Sequence, residues 1–125
     1  MSKLYNLPKG RYGEEVGKDY LCKKGYSLLA RNYRTRYGEI DLIFLDEDEI
    51  IFVEVKAKVG EDFGTPEEMV DKRKINQIQK TAQSFLVTRA DLARKYEKYR
   101  IDVVAIVFNG MGGVDRIDHY ENVEI

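Results

Sequence analysis

The sequence predicts an α/β fold, with helices packed on the faces of a central mixed β-sheet. Three observations carry that prediction. Runs with helical spacing, over 12–24 and around 75–86, bracket a block of strand-like sequence. Two adjacent strands, 39–45 and 50–56, are apolar on both faces, the pattern of strands buried inside a sheet. A further apolar strand, 101–108, follows the second helical region, so the order reads α-β-β-β-α-α-β-β.

Each element has its own signal. Over Tyr12–Lys24, Gly13, Val16, Gly17, Tyr20 and Leu21 gather on one helical face, and Gly25 is the expected stop. Ser27–Tyr33 lacks helical spacing and reads as a strand. Glu39–Leu45 and Ile50–Lys56 follow, joined by the acidic turn Asp46-Glu47-Asp48-Glu49. Thr65-Pro66-Glu67-Glu68 offers an N-cap, a first-turn proline and a capping-box glutamate, and Ile75, Ile78, Ala82, Phe85 and Leu86 then recur at helical spacing. A short helix is expected over Asp91–Tyr99, then the strand Ile101–Phe108, a turn at Asn109–Gly113, and a last strand through Ile117–Tyr120.

At 125 residues the chain is expected to form one domain over 1–125, with 1–10 the candidate for a flexible N-terminal segment. No apolar run approaches a membrane span, and no secretory signal core opens the chain, so no membrane partner and a cytoplasmic location are the default expectations. Cys22 is the only cysteine, which excludes an intramolecular disulfide and a cysteine-built zinc site. The net charge of −1 conceals a partition: 1–38 carries +6, 39–71 carries −10, 72–100 carries +7 and 101–125 carries −4. Two basic segments around an acidic one suit a protein that grips a polyanion about a cation. They equally suit solvated helix faces.

The hairpin concentrates the chemistry. Alternation puts Glu39, Asp41 and Ile43 on one face of the first strand and Ile40, Leu42 and Phe44 on the other; on the next strand Ile50, Phe52, Glu54 and Lys56 share a face. With an even-length turn, Asp41 faces Glu54 and Glu39 faces Lys56; an odd turn would put the two acids on opposite faces. Two adjacent carboxylates in a packed sheet repel unless a cation lies between them, and their oxygens suit Mg²⁺ or Mn²⁺. On this reading Asp41 and Glu54 hold the metal, and Lys56 orients a water or offsets charge on a phosphodiester transition state. The competing reading makes Lys56 the partner in a buried ion pair, a weak source of stability.

Gly13-Glu14, Tyr20-Leu21, Gly25-Tyr26, Asn32-Tyr33-Arg34, Gly38-Glu39-Ile40-Asp41-Leu42-Ile43, Phe52-Val53-Glu54-Val55-Lys56, Lys74, Ala82, Leu86 and Asp102-Val103-Val104 occur in the order seen in the YraN-like family. The chain resembles that family over nearly its whole length. The family looks like a branch of the PD-(D/E)XK nucleases, similar to archaeal Holliday-junction resolvases. The resemblance implies a restriction-endonuclease-like, three-layer α/β/α fold and a Mg²⁺-dependent nuclease with Asp41, Glu54 and Lys56 as its core. It also implies a supporting role for Glu14. Its substrate would be DNA, branched or single-stranded rather than of defined sequence, and a homodimer is compatible with resolving two symmetric cuts. The alternative is a nucleic-acid-binding or scaffold domain that keeps the fold without catalysis. Two positions depart from the superfamily pattern: Ile40 replaces its proline, and Lys58 stands where arginine is usual, giving a less directional phosphate clamp.

Other residues carry weaker signals. Glu14 reads either as a further metal ligand or as a helix-start carboxylate favoured by the dipole. Glu39 is expected to support the site from opposite Lys56. Lys74 reads as a phosphate contact or a solvated helix lysine. Arg31, Arg34 and Arg36, interleaved with Tyr33 and Tyr37, form a candidate nucleic-acid strip. His119, the sole histidine, reads as a strand or surface residue, and Asp102, entering a strand behind Arg100, as an ion-pair or sheet-edge residue.

Overall fold

The computed structural model describes residues 9–60 and 69–123. Helix α1 spans Lys9–Lys23 and strands β1, β2 and β3 span Ser27–Thr35, Gly38–Asp46 and Glu49–Val59. Helices α2 (Lys72–Thr88) and α3 (Ala90–Lys95) precede β4 (Lys98–Phe108) and β5 (Val114–Tyr120). The strands form one sheet in the order β1-β2-β3-β4-β5, antiparallel except for the parallel β3/β4 pair. A parallel pair cannot be joined by a tight turn, and the long connection between β3 and β4 carries α2 and α3.

Two cores flank the sheet. On one face Ile75, Ile78, Ala82 and Phe85 of α2 pack on Ile43, Ile50, Phe52 and Ile101. On the other, Leu21, Val16, Tyr12 and Tyr20 of α1 pack on Leu42, Phe44, Val53 and Val104. The result is the α/β/α arrangement with a central mixed sheet that the restriction-endonuclease-like resemblance implies. β2 and β3 lie inside the sheet, as their doubly apolar pattern requires.

Local chemistry sets the boundaries. Gly25, at φ 99°, ends α1 in a Schellman motif: Tyr26 N–H donates to Leu21 C=O at 3.2 Å and Gly25 N–H to Cys22 C=O at 3.0 Å. The β2–β3 turn is tighter than expected, because Asp46 pairs with Glu49 and only Glu47 and Asp48 remain in the loop. Its length stays even, so Leu42↔Val53, Ile43↔Phe52 and Phe44↔Ile51 keep the expected register.

Four expectations need correction. Thr65–Glu68, like residues 1–8, lies outside the described residues, and α2 starts instead at Lys72, where the Asp71 carboxylate caps Lys74 N–H at 2.9 Å. The short third helix stops at Lys95, leaving Lys98 and Tyr99 to β4. β5 starts earlier than expected, at Val114. Finally, Ile40 packs in the α2-side core with Ile43 rather than with Leu42 and Phe44. The alternation slips at Asp41, past the last β2–β3 pair and opposite Asn32, whose φ of 52° is left-handed.

Candidate functional site

β2 and β3 pair from the turn as far as Leu42 and Val53, and Asp41 and Glu54 are the next residues on each strand. There the Asp41 carboxylate replaces a ladder acceptor, receiving the Val55 N–H at 2.8 Å. Glu54 is 5% exposed, and its carboxyl lies against the Asp41 charge in the same cleft. The expected meeting of the two acids therefore occurs, at the point where the sheet opens.

Helix α1 reaches this opening because it has no side chains in the way. A Cβ on Gly13 would lie 2.8 Å from the Ala57 Cβ, and one on Gly17 would lie 3.3 Å from Val55 Cγ2. Both glycines let α1 lie close on β3. Glu14, the residue after the tighter contact, is thereby carried into the site. Helix α2 supplies Lys74 from the other side, its Nζ 3.5 Å from Glu54 Oε2. Lys56 Nζ lies 3.9 Å from the same oxygen. Glu14, Glu39, Asp41, Glu54, Lys56 and Lys74, with Val55 and Ala57, line one cleft of 290 Å³.

The cleft is rich in negative charge despite the two ammonium groups. Burial, then repulsion from Asp41 and the hydrogen bond with it, push the Glu54 carboxyl from 4.5 up to about 8, against the pull of Lys74 and Lys56. Glu14 also rises, through burial and the charges of Asp41 and Glu39, with Asn32 and Arg31 acting the other way. A proton or a cation is what relieves such a cluster. Among the described residues no three acids, histidines or cysteines converge as a protein-only metal cage. Two carboxylates are nevertheless a sufficient anchor for Mg²⁺, which keeps several of its waters.

The remaining candidates are placed differently. Glu39 lines the cleft but is turned to Arg34, 3.3 Å away, rather than engaged by Lys56. Arg31 pairs with Glu15 and Arg34 with Glu39, so the arginines of β1 are engaged within the protein, while Arg36, in the β1–β2 turn, bonds only the neighbouring Tyr37 hydroxyl at 3.0 Å among the described contacts. Lys58 lies two residues beyond Lys56 on β3, half-buried. Cys22 is exposed, away from the cleft. His119 is nearly buried in β5, bonded to Asp102 at 2.8 Å and to Lys24 Nζ at 2.9 Å. Asp102 pairs with Arg100 as expected, at 2.9 Å.

Asn32 is the residue that sequence reasoning missed. With its amide nitrogen turned toward the acids, it donates to Glu39 at 2.9 Å and to Glu14 at 2.8 Å. Its left-handed backbone aims it there, and asparagine tolerates that conformation better than most residues. An asparagine inside a strand-like run was the available signal.

The comparisons with known proteins agree along the chain. The family described as Uncharacterised protein family UPF0102 matches residues 13–106, which contain the whole cleft. A UPF0102 protein of Syntrophomonas wolfei is 42% identical, covering 94% of this chain and 97% of its own. One from Pelotomaculum thermopropionicum is 39% identical, covering 90% and 92%, and one from Persephonella marina is 41% identical, covering 86% and 90%. Among solved structures, SfsA of Pyrococcus furiosus in complex with Ca²⁺ is similar at TM-score 0.39 and 17% identity; the match covers 94% of this chain and 64% of that one. With a family match from Gly13 to Ile106 and relatives near 40% identity over almost their full length, the chain belongs to the UPF0102 family, the YraN-like family its motifs resemble.

Proposed function

We propose that the protein is a metal-dependent nuclease that hydrolyses phosphodiester bonds in branched or single-stranded DNA. The observation that carries this reading is the Asp41–Glu54 carboxyl pair, set where the sheet opens, with Lys56 and Lys74 both within 4.0 Å of Glu54. A buried acid pair with two flanking cations has little value as a structural device. It fits a site in which Asp41 and Glu54 hold Mg²⁺ or Mn²⁺, with the neighbouring Val55 carbonyl as a further oxygen ligand. When bound, such a cation supplies Lewis-acid polarisation of the phosphate and a more acidic water.

The chain's own residues do the rest. Lys56, an ammonium beside Glu54, orients the attacking water and offsets charge on the five-coordinate phosphorus. Lys74 reaches the cleft from α2 and holds a non-bridging phosphate oxygen. Glu14 would accept a hydrogen bond from a water held in the cleft, and Asn32 and Glu39 position its carboxyl. Lys58, beyond Lys56, contacts the backbone further along the strand.

Purified protein with Mg²⁺ or Mn²⁺ is expected to cut labelled four-way, forked or single-stranded DNA. Asp41→Asn and Glu54→Gln should abolish cutting while leaving DNA binding. Binding without cleavage under either metal, across DNA and RNA of these shapes, would transfer the reading to a scaffold domain that retains the fold.

A further inference from the structure

We infer that a groove beside the cleft, between α2 and the β1–β2 turn, binds a single-stranded DNA segment with Tyr37 as its base-stacking platform. The inference rests on the hydrolytic reading of the cleft and adds to it the path by which DNA enters. The groove, 830 Å³ in volume, is lined by Lys72, Arg73, Lys74, Asn76 and Lys80 of α2 and by Tyr37. Lys74 lines both groove and cleft, so the two are adjacent.

The charge on this surface selects a polyanion. Lys72, Arg73 and Lys80 line the groove beside Lys74, whose ammonium faces Glu54, and the one acid there, Asp71, is committed to capping the Lys74 N–H. Phosphates are the ligand that such a track attracts, with the affinity falling as salt rises. The β1 arginines offer less, since Arg31 and Arg34 are already held by Glu15 and Glu39.

The aromatic ring selects a single strand. Tyr37 sits in the β1–β2 turn and is 39% exposed, with the Arg36 guanidinium over its ring at 5.0 Å and the Lys80 ammonium over it at 5.9 Å from the ring centre. A base that stacks on this ring takes the place of a cation now over it, and the displaced Arg36 or Lys80 then pairs with a flanking phosphate. Bases in a duplex are already stacked and offer no face to such a ring. Six residues of helix separate Lys74 from Lys80, about 9 Å, which is roughly two to three stacked nucleotides. The platform therefore lies a few nucleotides from the phosphate at the cleft. Beyond it the groove runs on past Ser84 and Val87, with Tyr37 and Lys80 shared by both stretches.

Fluorescence anisotropy tests this in EDTA, using the full chain, a labelled oligothymidine and a blunt duplex of equal length. The single strand should bind more tightly than the duplex. Tyr37→Ala should weaken single-strand binding by about five- to a hundredfold, the usual worth of one stacked base, and barely change duplex binding. Tyr37→Phe should bind like wild type, because the ring and not the hydroxyl is used. Lys80→Ala should flatten the salt dependence. Tyr37→Ala binding the single strand as tightly as wild type, with unaltered circular dichroism, would overturn the inference. Equal losses for strand and duplex would also overturn it. These measurements contain no metal, so they can fail while metal-dependent cleavage stands, and cleavage can fail while they stand.

Discussion

Glu54→Gln removes an ionisable proton from the most perturbed carboxyl in the cleft without changing its shape, so its effect on stability can be worked from the structure. In the unfolded chain Glu54 titrates near 4.5 and in the folded protein at about 8, because burial and Asp41 disfavour its charge. Below 4.5 both states hold the proton and Glu54 contributes no pH dependence. Between 4.5 and 8 only the folded state holds it, so the unfolded state binds fewer protons and stability falls as pH rises. The slope approaches about 1.4 kcal/mol per pH unit, and the whole window is worth about 5 kcal/mol before the site relaxes. Glu54 is 5% exposed, so solvent screening removes little of this.

Urea denaturation of both proteins in EDTA, at about pH 5 and about pH 9, measures the effect as a difference, which cancels other titrating groups such as Glu14. The stability of Glu54→Gln relative to wild type should rise by several kcal/mol on going from acid to alkaline pH. Millimolar Mg²⁺ should narrow the gap at alkaline pH by stabilising wild type alone. Parallel pH profiles for the two proteins would refute the electrostatic description of the cleft. A Mg²⁺ effect of equal size on both would refute Glu54 as a ligand.

Three other perturbations separate parts of the structure. Gly13→Ala places a Cβ 2.8 Å from the Ala57 Cβ, so α1 must shift; a loss of about 1–3 kcal/mol in urea denaturation is expected, with a larger fall in cleavage because Glu14 moves with the helix. Asp102→Ala strips a fully buried carboxylate from Arg100 and His119; it should cost about 3–5 kcal/mol yet leave cleavage per folded molecule unchanged. Asn32→Ala must hold a φ of 52° without the side-chain amide that makes this conformation tolerable for asparagine, and should lose about 1–2 kcal/mol. Asn32→Gly loses less, but both lack the amide that joins Glu14 to Glu39, so both should cut equally poorly; cleavage that tracks stability instead would remove Asn32 from the site.

Much of this architecture was legible because it depends on periodicity. The stripe Ile75, Ile78, Ala82, Phe85 needs only helical spacing, and it is the face of α2 that is buried. The meeting of Asp41 with Glu54 needed only an even turn, so shortening the loop to Glu47-Asp48 left it intact. What alternation could not show is the backbone change at Asp41, since a left-handed Asn32 across the ladder is a tertiary event. For the same reason Ile40 crosses to the other core and Glu39 turns to Arg34 instead of Lys56. The start of α2 at Lys72 was not read because Asp71 carries an N-cap signal of its own, which the Lys74 N–H satisfies. The long-range partners of Arg100, namely Tyr26, Glu49 and Glu121, leave no local trace at all.

That arginine also supplies the contrast that gives the cleft its meaning. Asp102 and Glu54 are both buried acids near the middle of the same sheet, on adjacent parallel strands. Burial alone would raise Asp102, but bonds from His119, Arg100 and the Asn122 N–H, with the Arg100 charge, more than offset it and hold the carboxyl below its ordinary range. Glu54 faces Asp41 and has only two ammonium groups, at 3.5 and 3.9 Å, so its carboxyl goes the opposite way. The protein can therefore satisfy a buried carboxylate fully, and does so where the role is structural. At Glu54 it stops short of compensation, beside an open cleft and a second acid. A fold that needed only stability would place an apolar residue there. On the proposed reading, a cation bound by Asp41 and Glu54 would supply the compensation that Lys56 and Lys74 leave incomplete.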